Sequence, residues 1–398
     1  MPDGEGKGMP RTPLSGNGYP AINGAPEIGE PMTTVFDRKA ACCGCGACAT
    51  FCPGNAIEMQ PDEEGFLYPV IDEAACLDCG SCRDACPLHS ENGPALHPEP
   101  RFYIARSRDE AVVRRSASGG AFTALSNVVL RRGGVVYGAV FDASLGVMHA
   151  RAETPEQRDR MCGSKYVQSR AGDTYLRARE DLEQGREVLF TGTPCQLAGL
   201  QAALGRPYEK LICCDVICHS VSSPLMWQEY LRLLSEENGA AVTAVNFRDK
   251  TLGWQRASTF KGFGYRTGSG EVQFDDRYYR LFFGWKVIAR PSCSICRYAR
   301  VERCTDITIA DYWGVEKYAP DWADYYGVSF LMTSTQKGES LLHDCAPELR
   351  FAQRDPAEQI AENHRLLGPM AIPAEERAAF WSDYRAHGFR AALGQMKI

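Results

Sequence analysis

The feature that most constrains this chain is a cysteine motif that occurs twice within its first hundred residues. The spacing Cys42-x2-Cys45-x2-Cys48-x3-Cys52-Pro53 returns 34 residues later as Cys76-x2-Cys79-x2-Cys82-x3-Cys86-Pro87. Half of the 18 cysteines lie between Cys42 and Cys86. Such a density indicates either a disulfide framework or a metal framework, and the spacing and the redox compartment distinguish the two.

The expected compartment argues against disulfides. No apolar run approaches the roughly 18 residues that predict a transmembrane helix. The first residues lack the charged start and apolar core that mark a signal peptide. We therefore expect a soluble, cytoplasmic protein whose cysteines meet a reducing environment, where stable disulfides are rare.

The spacing of the repeat favours iron–sulfur clusters. Three cysteines two residues apart, then a fourth followed by proline, are typical of bacterial ferredoxins with two [4Fe–4S] clusters, in which each fourth cysteine ligates the other cluster. The predicted ligands are Cys42, Cys45, Cys48 and Cys86 for cluster one, and Cys76, Cys79, Cys82 and Cys52 for cluster two. Cys43 is out of register and is predicted to be a spare thiol. A pair of zinc sites is the alternative, since Cys-x2-Cys pairs also suit tetrahedral zinc.

Composition sets the wider class and the organisation. Hydrophobic residues make up 44% and charged residues 24% of the 398 residues, which excludes a disordered or fibrous protein. The net charge of −6 argues against a nucleic-acid partner. We predict a disordered leader (1–33), a ferredoxin domain with two [4Fe–4S] clusters (35–92), a main domain in two parts (100–185 and 186–350) and a helical tail (351–398) whose aromatic residues pack on the main body. The expected fold class is an α/β main domain with a mixed or parallel sheet of βαβ units, plus a small α+β ferredoxin-like domain.

A βαβ unit in the main domain brings two further cysteines together. Val188–Phe190 is a predicted strand, Thr191–Pro194 a tight loop, Gln196–Leu204 a helix and Leu211–Ile217 the next strand. Such units pair their strands in parallel. Cys195 and Cys218 each follow a strand, so we expect both at the sheet edge where open α/β sheets bind ligands.

Cys293 and Cys296 form a Cys-x2-Cys pair further along the chain. Together with Cys195 and Cys218, this pair makes a four-sulfur site plausible. Cys304 is the rival for the fourth ligand. Cys213 and Cys214 lie within a strand and are expected to be buried apolar residues. Cys162 and Cys345 have no partner at a ligand spacing, and we interpret them as core or surface thiols.

Two segments could bind an anion. Ser116–Gly120 precedes an apolar helix, and small residues at a helix N-terminus leave backbone N–H groups free for a phosphate; a plain helix cap at Ser118 explains the pattern about as well. Gly163–Ser169 offers hydroxyls and a lysine, or is an ordinary solvated loop. The chain has neither a GxGxxG nor a GxxxxGK[ST] fingerprint.

Several motifs together resemble a known family. They are SASGGAFT (116–123), GSKYVQS (163–169), FTGTPCQLAGL (190–200), ICHSVSSP (217–224), NFRDKTLGW (246–254) and RPSCSICRYARVERCTDITIADYWG (290–314). Over about residues 100–350 the chain resembles the beta subunit of coenzyme F420 hydrogenase/dehydrogenase, a family that is also similar to the 7-hydroxymethyl chlorophyll a reductases.

The resemblance implies an FAD beside a further [4Fe–4S] cluster. By motif, the ligands of this inner cluster would be Cys195, Cys218, Cys293 and Cys296. The flavin site would include Ser118, Gly119, Gly120, Thr123, Gly163, Ser164, Lys165 and Tyr166. The substrate does not carry over from the family name.

The expected function is that of an iron–sulfur flavoprotein oxidoreductase. It would pass electrons between a small two-electron carrier, such as reduced coenzyme F420, and the [4Fe–4S] clusters, and then to a redox partner protein or ferredoxin. The alternatives are a ferredoxin-dependent reductase of an organic substrate and a non-catalytic relay subunit of a larger complex. No general acid or base is assigned, since Lys165 is only near the expected site and His219 is expected to be a structural hydrogen-bonding residue.

Overall fold

A computed structural model describes residues 34–89, 93–257, 259, 262–268 and 270–396. The predicted leader, residues 1–33, lies outside the described residues. The strands are β1 (Ile57–Pro61), β2 (Leu67–Ile71), β3 (Arg101–Ser107), β4 (Val135–Phe141), β5 (Val147–Ala152), β6 (Val188–Gly192), β7 (Leu211–Val216), β8 (Val242–Asn246), β9 (Gly264–Thr267), β10 (Gln273–Phe274), β11 (Ile307–Asp311), β12 (Ser329–Thr333) and β13 (Leu349–Arg354).

The α-helices are α1 (Ala47–Thr50), α2 (Ser81–Asp84), α3 (Glu110–Arg115), α4 (Ala121–Arg131), α5 (Pro155–Asp159), α6 (Thr174–Glu183), α7 (Pro194–Leu204), α8 (Pro224–Asn238), α9 (Trp254–Ala257), α10 (Arg277–Tyr279), α11 (Val315–Tyr318), α12 (Gln336–Asp344), α13 (Pro356–Glu362), α14 (Ala374–His387) and α15 (Phe389–Gln395). Short 3-10 helices lie at Lys39–Ala41, Pro291–Ile295, Pro320–Trp322 and His364–Leu366, and a π-helical turn lies at Arg280–Trp285.

A mixed sheet of eight strands, in the order β13-β3-β12-β11-β7-β6-β4-β5, forms the centre of the fold. The four middle strands, β11, β7, β6 and β4, pair in parallel, and the outer pairs are antiparallel. The predicted parallel pairing of β6 and β7 is confirmed, with Phe190 opposite Cys213. The mixed α/β class is therefore confirmed.

Alternate residues of the middle strands face two separate cores, as the period of two in a strand requires. Leu189 and Cys214 pack with α4 and α12 on one face. Phe190 and Cys213 pack with α6 and α7 on the other face. Cys213 and Cys214 are 2% and 1% exposed, which confirms that they are buried residues of the strand.

Strands β6 and β7 end at Gly192 and Val216 instead of the predicted Phe190 and Ile217, and two further boundaries differ. Helix α7 begins at Pro194 and not at Gln196, because Thr193 and Gln196 form a reciprocal capping box around a proline in the first turn. The predicted helical tail begins within β13, whose residues pair with β3, and its first helix starts at Pro356. The aromatic residues of the tail do pack on the main body, with Phe380 and Trp381 each 1% exposed.

The cysteine-rich segment forms a small module of a β1–β2 antiparallel hairpin and two single-turn helices. Gly46 and Gly80, at equivalent positions of the two repeats, adopt left-handed conformations with φ of 82° and 73° directly before α1 and α2. A residue with a Cβ is strained there, so glycine lets each repeat turn sharply between its second and third cysteines. The ferredoxin-like fold of this module stays a prediction.

Among the described residues, no helix combines the length and the apolar character needed to cross a membrane.

Candidate functional site

The module brings the last cysteine of each repeat to the first cysteines of the other. Burial raises the pKa of Cys48, and the neighbouring thiols of Cys42 and Cys86 raise it further. Burial likewise raises the pKa of Cys82, with a further contribution from the thiols of Cys52 and Cys76. The thiol of Cys82, from the other predicted set, also raises the pKa of Cys48, so the two predicted ligand sets lie next to each other in the module.

The two groups differ in their access to solvent. Cys45, Cys48 and Cys86 are buried, whereas Cys79 is exposed. Leu77 next to it is 65% exposed. The group that contains Cys76 and Cys79 is therefore the outer one of the module.

The inner cysteines come from three separate elements. Cys195 lies in the first turn of α7, and Cys218 follows β7 by two residues. The turn Pro291–Ile295 is held beside Cys218, because the Arg290 N–H donates to the Val221 carbonyl at 2.9 Å. Burial raises the pKa of Cys218 well above its usual value, and the thiols of Cys293, Cys195 and Cys296 add to this shift. The four predicted inner ligands thus lie within electrostatic reach of one another.

Two other thiols border this inner group. Cys304 is 5% exposed and packs with Ala198 and Tyr298 against Cys195 and Cys296. Cys43, predicted to be a spare thiol, neighbours Cys195, and its thiol together with burial raises the pKa of Cys195 well above its usual value. Cys43 therefore lies between the module and the inner group.

A cavity of about 910 Å³ opens at the carboxyl ends of the parallel strands. Its wall includes Thr191 and Gly192 at the end of β6, Val216 at the end of β7, and Asp311 at the end of β11. Cys43, Cys195 and Cys218 also line it. The cavity and the inner cysteine group therefore share a wall, at the edge where open α/β sheets bind ligands.

Six of the eight residues predicted for a flavin line the cavity, namely Ser118, Gly120, Gly163, Ser164, Lys165 and Tyr166. Gly119 is pressed against β12, where a Cβ would lie 2.6 Å from the backbone nitrogen of Ser329. Thr123 is 2% exposed on α4, where its hydroxyl lies 3.7 Å from the Sγ of Cys162. These two residues shape the loop and the helix and do not face the cavity.

Lys165 is directed at its own loop. Its Nζ donates to the carbonyls of Met161, Cys162 and Gly163 at 3.2, 3.1 and 3.1 Å. Burial lowers its pKa to about 8. Lys165 therefore orders the Gly163–Ser169 segment from within.

Two histidines on the cavity wall are held neutral. His149 is 2% exposed between the Thr191 carbonyl and the Ser169 hydroxyl, each 3.0 Å from a ring nitrogen, and burial lowers its pKa to about 4. His219 contacts the Ser220 hydroxyl at 3.0 Å, and burial lowers its pKa to about 4. The hydrogen bond of His219 agrees with its predicted structural role.

Sequence reasoning missed two arginines of the cavity wall. Arg248, within the NFRDKTLGW motif, forms a 2.8 Å ion pair with Asp311 and is 6% exposed. Arg365 comes from the predicted packing tail, and its Nη1 is buried without a hydrogen-bond partner among the described residues. A buried guanidinium nitrogen without a partner is costly, so the cavity offers an anionic group a strong contact there.

The donor chemistry fits iron–sulfur clusters. Each group consists of thiols from short, ordered turns, and cysteine thiolates are the ligands of [4Fe–4S] clusters. In the described part of the chain, no three His, Cys, Asp or Glu side chains converge to hold a single metal ion.

Comparison with known families agrees with this geometry. Residues 41–90 match the 4Fe-4S dicluster domain. Residues 185–359 match the C terminus of the coenzyme F420 hydrogenase/dehydrogenase beta subunit. Residues 185–359 are thus similar to the F420 hydrogenase/dehydrogenase beta-subunit family. This segment contains all four predicted inner cysteines, and the resemblance inferred from the motifs is confirmed.

One solved structure is also similar to this chain. A chain in the xenon-derivatized F420-reducing [NiFe] hydrogenase complex from Methanosarcina barkeri is similar, with a TM-score of 0.46 and 16% identity over 71% of this chain and 97% of that chain. Among curated proteins, no sequence matches. By these two matches, the polypeptide is an electron-transfer, oxidoreductase-related protein with a 4Fe-4S domain.

Proposed function

We propose that this chain is an iron–sulfur flavoprotein that passes electrons between a two-electron organic carrier, reduced coenzyme F420 or a similar molecule, and a series of three [4Fe–4S] clusters. One observation carries the proposal: Cys195 and Cys218 belong both to the inner cysteine group and to the wall of the cavity. A ligand in the cavity would therefore contact the ligands of a cluster directly.

The cavity fits a flavin in size and in chemistry. Its volume of about 910 Å³ is in the range of cofactor sites. The N-terminus of α4 at Gly120 and Ala121 borders it, and backbone N–H groups there suit a phosphate. Arg365 supplies a cation for an anionic group of the flavin or of the carrier. A bound flavin would exchange electron pairs with the carrier and single electrons with a cluster.

The order of the cysteine groups suggests the order of the clusters. The inner group borders the cavity, Cys43 connects it to the group of Cys42, and the group of Cys76 and Cys79 is outermost. Electrons would pass along this order to a redox partner protein that docks near Cys79, or in the opposite direction. The cavity favours an enzyme over a relay subunit, because a relay needs no site for a small carrier.

An anaerobic absorbance titration tests the proposal. The purified chain is titrated first with reduced coenzyme F420 and then with a reduced ferredoxin. Bleaching of both flavin and cluster bands by reduced F420 is the expected result. Bleaching by ferredoxin alone would reverse the direction and require an organic acceptor. A preparation that stays colourless after cluster reconstitution would contradict the proposal and favour zinc.

A further inference from the structure

Arg290 is a fully buried cation between the cysteine-rich module and the main body. Its side chain is 0% exposed, and its guanidinium lies over the ring of Tyr68 at 4.2 Å from the centroid. Its Nε donates to the Cys42 carbonyl at 2.9 Å, and its Nη2 donates to the Leu67 carbonyl at 3.0 Å. The Nη1 donates to Gln168 at 2.8 Å. All these partners are neutral.

The same residue is bonded to the inner group through its backbone. The Arg290 carbonyl accepts a hydrogen bond from the Cys293 N–H at 3.0 Å. A continuous path therefore runs from the Cys293 backbone, through Arg290, to the backbone of Cys42. It joins a predicted ligand of the inner cluster to a predicted ligand of cluster one.

The charge of Arg290 is directed at these cysteines. In the described ranges no carboxylate forms an ion pair with it, although burying a cation without a counter-charge is costly. Its guanidinium lies against the backbone of Cys42, and its own carbonyl is bonded to the backbone of Cys293. The negatively charged clusters that these cysteines are predicted to bind would supply the missing counter-charge.

We propose that Arg290 is the positioning residue that controls the electron step between the inner cluster and cluster one. The inference rests on the proposed function. With both clusters bound, the inner cluster would lose one electron and cluster one would gain it, or the reverse. The buried cation would stabilise the more negative, reduced clusters, since net charge and hydrogen bonding set cluster potentials. The hydrogen bonds from its side chain to Cys42 and Leu67 hold the module at a fixed distance from the inner group.

The test is an anaerobic redox titration with a chemical reductant, followed by electron paramagnetic resonance. The variants are Arg290→Gln and Arg290→Lys. The matched control is Arg377→Gln, which removes another arginine between the body and the module, paired with Glu64 (Nη1 to Oε1, 2.6 Å). Iron content is measured for every variant. Because the reductant acts without the carrier, failure of the proposed carrier reaction is distinguishable from failure of this inference.

Arg290→Gln is expected to lower the ratio of reduced to oxidised cluster one about tenfold at a fixed potential, since hydrogen bonds that involve a charged group are of this strength. Arg290→Lys keeps the charge but not the planar fork, so a smaller shift in the same direction is expected. Should the glutamine variant fail to assemble its clusters, the lysine variant decides alone. The inference would be overturned if the Arg290 variants, at full iron content, titrated like the wild type. A shift of the same size in Arg377→Gln would overturn it as well.

Discussion

Cys43 and Cys195 are neighbouring thiols, although one lies in the cysteine-rich module and the other in the first turn of α7. The contact joins the module to the cavity, because both residues line the cavity wall. It also places an extra thiol beside a predicted cluster ligand. Hydrogen bonds to cluster sulfurs tune reduction potentials, so Cys43 has a role available to it that needs no iron–sulfur bond.

Iron content will separate ligands from neighbours in the inner group. Cys195→Ala is expected to reduce the iron from about 12 to about 8 atoms per chain, because a [4Fe–4S] cluster needs four thiolates. Cys43→Ala is the matched control and is expected to retain all of it. Iron and sulfide analysis of the anaerobically purified variants measures both.

The same iron assay decides whether Cys304 or Cys296 is the fourth ligand of the inner cluster. Full iron in Cys304→Ala, with loss in Cys296→Ala, is the expected outcome. The opposite pattern would replace Cys296 by Cys304 in the inner set.

Gly199 is the point where α7 meets the module. A Cβ at this position would lie 2.7 Å from the Sγ of Cys45. Gly199→Ala is therefore expected to destabilise the protein by about 1–3 kcal/mol, the usual cost of overpacking.

Gly394→Ala in α15 is the control, since a Cβ there meets nothing within 4 Å. It should stabilise the protein by about 0.5–1 kcal/mol, because alanine loses less entropy in a helix. Urea unfolding measures the free energy of unfolding of both variants. A change of the same sign in both would contradict the packing argument.

Arg365 should bind an anionic group in the cavity. Arg365→Gln is expected to weaken the affinity for the flavin or for the carrier about tenfold, the effect of losing one hydrogen bond to a charged group. The amount of flavin retained after gel filtration reports contact with the flavin, and the Kd of the carrier reports contact with the carrier. Arg350→Gln, on the exposed part of β13, is the control. Unchanged flavin content together with an unchanged Kd would show that Arg365 contacts neither molecule.

His149 should make stability fall as the pH is lowered. Its folded-state pKa is about 4, below the value of about 6.5 in an unfolded chain. Between these values the unfolded chain binds the additional proton, so stability rises with pH. From pH 7 to 5.5 the contribution amounts to a loss of about 1 kcal/mol.

Urea unfolding of His149→Gln at the two pH values tests this prediction. The variant should lose that part of the pH dependence. Phe190→Leu removes the ring on which His149 stacks and keeps the imidazole. It should lower stability by similar amounts at both pH values, and an unchanged slope in His149→Gln would contradict the assignment.

The sequence by itself determined the parts of this protein that depend on local spacing. The doubled motif around Cys42–Cys86 and the β6–α7–β7 unit were predictable because ligand spacing and strand periodicity are properties of short segments. The family motifs located the inner cysteines for the same reason. Even here the predicted start of α7 was wrong by two residues. The helix begins at Pro194 and includes Cys195, because Thr193 and Gln196 form a capping box.

Only the tertiary structure decided which distant residues surround these cysteines. Arg290 donates to the carbonyl of Cys42 across 248 positions of sequence. Arg365 reaches the cavity from a segment whose pattern indicated packing alone. Cys43 is out of register in its motif and gains a partner only when the module packs on α7. Such contacts carry no periodic signal, because they arise from the packing of whole elements and not from the spacing of neighbouring residues.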